Sequence, residues 1–170
     1  GHNGAGLGTC DDGLVIDLSR MRGVRVDPRA HTLRAEGGCK WGDVDHAGHA
    51  FGLTAPAGII STTGVAGLTL GGGIGHLSRK HGLTIDNLLA VDMVLADGSF
   101  VTASTEENRD LYWAIRGGGG NFGVVTSFYF RGNAVKMVVA GPTLWPMEKA
   151  AEVMKFYRDF ITQAPEDLNG

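Results

Sequence analysis

The chain reads as an α+β fold, rich in strands, and three observations carry that reading. Apolar runs of strand length recur between turn residues, a few stretches show helical spacing instead, and glycines gather in four clusters between them. With 170 residues, 43% apolar and 19% charged, the chain can fill one core of ordinary size. A formal net charge of −3 lacks the basic surplus that nucleic acid demands of a partner. No apolar run approaches the roughly 20 residues of a membrane-spanning helix, so the expectation is a soluble protein.

Taken in order, Gly1-His2-Asn3-Gly4-Ala5-Gly6-Leu7-Gly8 is the first glycine cluster, and Leu14 to Leu18 reads as a short strand. Val24–Asp27 and Thr32–Glu36 flank a Pro28-Arg29-Ala30-His31 turn, the pattern of a hairpin. Trp41, Val44, Ala47, Gly48 and Phe51 recur at helical spacing, with Gly52 placed to end that helix. Residues 54–75 are free of formal charge and hold the second and third clusters, Gly64–Gly67 and Gly71–Gly75. Leu88–Ala96 and Ser99–Ala103 read as strands joined at Asp97-Gly98, a strong hairpin signal. Ser104 and Glu107 have the spacing of a capping box, which starts a short helix near residue 105. The fourth cluster, Gly117 to Gly123, feeds a strand over Val124–Phe130, and Trp113, Phe128, Tyr129 and Phe130 are expected in the core. Beyond residue 133 the texture changes, and Met147 to Ile161 form an amphipathic helix ending near Pro165.

Cys10 and Cys39 make no disulfide framework and read as small buried hydrophobes. His46 and His49 lie one helical turn apart near Asp43 and Asp45, yet a third ligand at metal spacing is missing, so no metal site is expected. A P-loop is absent. A G-x-G-x-x-G does occur at Gly118, Gly120 and Gly123, but between a helix and a strand, the reverse of the order a dinucleotide fold requires. Glycine loops bind phosphate without a helix when successive N–H groups form a nest and bare backbone lets a ligand approach. They equally serve turns and bulges of a strand-rich domain, and the glycine count leaves both open.

Three segments, in order, turn the balance. Gly-His-Asn-x-Ala-Gly at the start, Ser61–Gly75 continued by Ser78–Asn87, and Asp110–Thr126 resemble the three flavin loops of the vanillyl-alcohol-oxidase-type FAD fold, in its berberine-bridge-enzyme-like branch. The resemblance covers roughly residues 1–130 and implies the second subdomain of a PCMH-type FAD-binding domain, a mainly antiparallel sheet flanked by helices. It further implies that residues 1–133 lack an N-terminal βαβ subdomain and that residues 134–170 begin a substrate domain, with a strand and then a helix.

In enzymes of that family the loop histidine bonds to the 8α carbon of the flavin ring, and His2 is the matching position. An imidazole nitrogen is a competent nucleophile for that electrophilic carbon, and such a tether raises the flavin's potential. Many relatives carry a second, cysteinyl tether just before the second loop. Ile59-Ile60-Ser61-Thr62 stands there without a thiol, and Cys39 does not match, so a single tether is expected. The resemblance makes Asn3, Gly4, Thr62, Thr63, Gly64, Gly67, Leu68, Gly71 and Gly75 candidates for the pyrophosphate and flavin edge. Val125 matches a position on the adenine side, Asn87 contacts or orders the FAD loop or else serves a turn, and His76 faces flavin or substrate or else is structural.

The function so implied is an oxidase that takes a hydride from a C–H next to oxygen or nitrogen of a small organic substrate, with oxygen as acceptor. The alternatives are a NAD(P)H-dependent reductase of the same fold, or a flavin-binding module without catalysis. No catalytic base is named, because the resemblance places it in the substrate domain, and the fragment alone is expected to be inactive. A cytoplasmic setting is favoured for a bacterial source. Substrate and oligomeric state stay open.

Overall fold

A computed structural model describes residues 2–135 and 137–168. Its centre is a five-stranded antiparallel sheet of order β1-β2-β6-β4-β5. The strands are β1 (Val24–Asp27), β2 (Thr32–Glu36), β4 (Leu88–Val94), β5 (Phe100–Ser104) and β6 (Val124–Arg131). Both expected hairpins form, with Val26 opposite Leu33 and Val91 opposite Ala103. At the tip of the second, Gly98 takes φ +84°, a left-handed turn conformation that a side chain would strain.

β6 lies between the hairpins and pairs with both, Arg34 facing Tyr129 on one side and Asp92 facing Ser127 on the other. Alternation along the strands divides the faces. Leu33, Ala35, Val91, Met93, Phe128 and Phe130 are buried in the core face. α1 (Trp41–His49) covers that face with Trp41, Val44 and Gly48, the Trp41 ring standing 5.4 Å from that of Phe130. On the opposite face a polar ladder crosses four strands. Tyr129 donates to Asp92 (2.8 Å), Thr102 donates to the same carboxylate (2.9 Å), and Arg34 donates to Ser127 (2.5 Å).

α2 (Val65–Leu70), α3 (Ser78–His81) and the 3-10 turn Thr84–Asn87 occupy the long stretch before β4. α4 (Arg109–Ile115) packs beside β5. A two-residue pair, β3 (Leu53–Thr54) with β7 (Asn133–Ala134), ties the end of the sheet region back to the end of α1. α5 (Ala150–Phe160) follows a 3-10 turn at Met147–Lys149. No described helix is long and apolar enough to cross a membrane.

Several expectations need correction. Leu14 to Leu18 forms no strand: it has no pairing partner among the described residues, and Leu14 and Ile16 are exposed. The helix near residue 105 starts at Arg109, because Ser104 accepts the Glu106 and Glu107 N–H groups in a tight turn and left-handed Asn108 precedes the helix. On that helix Tyr112 and Ile115 face inward and Trp113 is 77% exposed, so it is not a core residue, and neither is Tyr129, which alternation along β6 turns to the polar face. Phe51 lies beyond the end of α1 and is exposed, and Cys10 is exposed while Cys39 is buried. Finally, residues 137–146 form no strand, β7 being the only pairing after β6 among the described residues.

Candidate functional site

Three of the four glycine clusters meet around α2. The chain enters it along the start of α1, where Trp41 N–H donates to the Thr63 carbonyl (3.0 Å), Gly42 N–H to that of Ser61 (2.8 Å), and Val65 N–H to that of Cys39 (2.9 Å). Thr62, Thr63 and Gly64 are thereby fixed just ahead of the helix. At its far end Leu70 offers its carbonyl to both Gly117 and Gly119 N–H at 3.0 Å, which brings the fourth cluster alongside. Gly72 and Gly73 carbonyls accept from Ile85 and Thr84, binding the third cluster to the turn that follows α3. Gly75 is packed so tightly that a Cβ there would run into the Ala57 carbonyl, and its N–H donates to Ser78 Oγ (2.9 Å).

Gly64 and Gly67 differ. A Cβ on either would project into open space, so their backbone is uncovered on that side. Ile59, Ile60, Ile74 and Phe122, from the same loops, are exposed apolar groups. A cleft beside them is lined by Ile59, Ile74, Gly75, His76, Ser78, Arg79, Leu83, Tyr157 and Ile161. A second hollow, walled by Trp41, Asp45, Ile60 and Ser61, shares His76 with the first. Two buried hydroxyls, Thr69 and Thr84, have no hydrogen-bond partner. Bare backbone next to exposed aliphatic groups, with few charges near, fits a flat cofactor that carries a phosphate chain.

Cations frame the loops from behind. Arg116 donates to the Ile85 carbonyl (3.1 Å) and pairs with Asp86, whose other oxygen accepts the Leu83 N–H. Burial, and then the neighbouring Lys80, push the His81 imidazole below its ordinary range, which favours the neutral ring. Arg22 beside Asp43 holds that carboxyl below the usual range. Among the described residues no group of three or more His, Cys, Asp or Glu side chains could hold a metal.

The sequence-predicted residues fall into three places. Thr62, Thr63, Gly64, Gly67, Leu68, Gly71, Gly75 and His76 surround α2 together. Gly67 and Leu68 lie within the helix itself, where the glycine pattern suggests a loop. His2, Asn3 and Gly4 stand apart on an exposed segment whose hydrogen bonds close on itself, as where Asn3 Oδ1 accepts the Ala5 N–H at 2.9 Å. Asn87 is buried and fully engaged with protein. It donates to the His81 and Leu83 carbonyls and accepts from Asn133, so it orders the loop that follows α3. Val125 is buried in β6, its carbonyl against Gly37. Arg79 is a site residue that sequence reasoning misses. The available signal is its isolation, as the first formal charge after Asp45.

Comparison with known proteins shows the family to which this fold belongs. The FAD binding domain family model matches residues 1–104. The FAD-linked oxidoreductase pgmH of Aspergillus terreus is 50% identical over 146 residues, 86% of this chain and 28% of its own length. The crystal structure of 6-hydroxy-D-nicotine oxidase from Arthrobacter nicotinovorans superposes with a TM-score of 0.77 at 40% identity, over 79% of this chain and 30% of that one. Glucooligosaccharide oxidase from Acremonium strictum, with its 6-S-cysteinyl, 8α-N1-histidyl FAD, gives a TM-score of 0.66 at 39% identity, over 69% of this chain and 25% of that one. The chain thus spans well under half the length of the relatives it matches. With the family model covering most of the chain and the antiparallel sheet shared with solved oxidases, the chain belongs to the FAD binding domain family of the FAD-linked oxidoreductases.

Proposed function

We propose that the whole protein is an oxidase whose FAD is joined to His2 by a single covalent bond. One observation carries the reading: the glycine clusters converge on α2 with backbone uncovered at Gly64 and Gly67, inside the stretch matched by the family model. When bound, FAD would supply the hydride acceptor for a C–H next to oxygen or nitrogen, with molecular oxygen as the terminal acceptor and hydrogen peroxide as its product.

The chain's own residues hold and shield it. The backbones of Asn3, Gly4, Thr62, Thr63, Gly64, Gly67, Leu68, Gly71 and Gly75 take the phosphates and ring edge, Val125 the adenine side. Asn87 orders the loop behind the ring, and His76 faces the cleft where a small organic substrate docks. Residues 1–133 form the cofactor half, and residues 134–170 open the substrate half. A second tether has no sulfur at the matching place. Ile59-Ile60-Ser61-Thr62 lacks cysteine, and the Cys39 thiol is buried against the Gly23 carbonyl, with burial pushing its pKa up.

The test is acid denaturation of the full-length protein, with flavin fluorescence read from the protein band on a gel. Fluorescence is expected to stay with the wild type and to vanish from the His2→Ala band. Flavin washed out of both would overturn the tether and favour a NAD(P)H-dependent reductase of the same fold. A protein with no flavin would be left as a non-catalytic module.

A further inference from the structure

The cleft beside Gly75 and His76 has two walls of different origin, and one short segment controls both. The first wall is the glycine loop itself, pinned by the Gly75–Ser78 hydrogen bond and by the close approach of Gly75 to Ala57. The second wall is α5, which brings Tyr157 and, just past its end, Ile161 to the cleft. α5 makes little use of its apolar side here, since Met154 and Phe156 are exposed. What holds it is polar. Arg79 Nη2 donates to the Ile161 carbonyl at 2.9 Å and to the Ala164 carbonyl at 2.8 Å, and Lys80 pairs with Asp167.

These two Arg79 bonds fall on carbonyls at and beyond the end of the helix. Such groups have no partner within a helix, and a cation is favoured there. They are charge-assisted, and the guanidinium is half-buried. The Lys80–Asp167 pair is exposed on both sides and contributes little by comparison.

We propose that Arg79 is a positioning residue. By gripping the end of α5, it fixes the wall that carries Tyr157 and Ile161 beside His76, and so sets the opening through which a small organic ligand reaches the flavin loops. The walls are mainly aliphatic, with one imidazole, one phenol, the Ser78 hydroxyl and Arg79 itself, whose Nη2 is taken up by the two carbonyls. The proposal rests on the flavin reading above, whereas the grip itself is tested independently of it.

The experiment is amide hydrogen exchange on the full-length, FAD-loaded protein, comparing wild type with Arg79→Met, Arg79→Lys and Lys80→Met. In Arg79→Met, exchange in residues 150–161 is expected to quicken at least about ten-fold, the scale of losing one charge-assisted hydrogen bond. Strands β4 and β6 and the flavin absorption spectrum should stay as in the wild type. Arg79→Lys should restore part of the protection, and Lys80→Met should change it less than about two-fold. Exchange in residues 150–161 that stays within about two-fold of wild type in Arg79→Met would overturn the proposal, as would an equal effect of Lys80→Met. If β4 and β6 also quicken in Arg79→Met, the Arg79→Lys protein decides: α5 amides that are only partly protected over a fully protected sheet support the grip, and α5 amides at the wild-type rate overturn it. Absence of flavin from the wild type would sink the oxidase reading and leave the exchange result standing on its own.

Discussion

At the scale of single residues, the best-defined charge effect lies at the mouth of α1. Asp43 accepts from Arg22 (2.6 Å) and also takes the Lys40 backbone N–H at 2.8 Å, so its carboxylate form is favoured in the folded protein. Its folded pKa lies below the unfolded value, so this contribution is present above the ordinary carboxylate range, near about pH 4. It is lost as pH falls through the lower, folded value. Replacing Arg22 with Gln should therefore lower the urea midpoint at neutral pH and leave it unchanged in strong acid. The shift will be small, because Arg22 is half exposed, and should shrink further in high salt. Urea titrations at several pH values check the sign. Some residues are legible in the sequence and others are not. His46 and His49 stand on an exposed helix face, as their spacing without a third ligand implies. Trp113 misleads, because a hydrophobic ring in a seven-residue helix has only one inward stripe available, and Tyr112 and Ile115 take it.

At the scale of elements, hairpins are the readable part. Turn residues at 28–31 and 97–98 fix strand ends through backbone conformation, which is a local property. α2 is not readable, since six residues including a glycine and a threonine have little helical preference of their own. Its end is secured by long-range bonds, Gly117 and Gly119 to Leu70, which no local pattern reveals. The Leu14 to Leu18 run shows the opposite failure, since strand-like composition forms a strand only where a neighbour offers a ladder. α4 is joined to β4 by one buried bond, Tyr112 Oη donating to the Leu88 carbonyl at 2.6 Å. Tyr112→Phe keeps the ring and removes the donor, and should lower unfolding free energy by about 1 kcal/mol. Equilibrium denaturation measures this, and a midpoint shift with unchanged slope is the expected form. The candidate site divides in the same way. The loops are found by motif, while their meeting around α2 depends on tertiary bonds, and among the described residues the hydrogen bonds of the His2 segment stay within it.

At the scale of the whole molecule, the chain shows two surfaces of unlike character. The sheet's outer face is covered by its own polar ladder. Residues from 137 onward expose Val139, Leu144, Trp145, Met147 and Phe156 instead. Soluble monomers seldom expose contiguous apolar surface on that scale. Produced alone, the 170-residue chain should bind an apolar fluorescent dye strongly in its folded state. Met147→Glu with Phe156→Glu should reduce that signal. A dye titration measures it, and an unchanged signal would place the sticky surface elsewhere. The sheet order carries a consequence in time. β6, the central strand, is the last of the five to be made, and its partners lie about ninety residues earlier on one side and nearer on the other. During synthesis the two hairpins must therefore wait, each with an open edge, until Arg131 has emerged from the ribosome. In that interval the nascent chain has every glycine loop already made and no sheet to hold them, which is when a chaperone or an early encounter with flavin matters most.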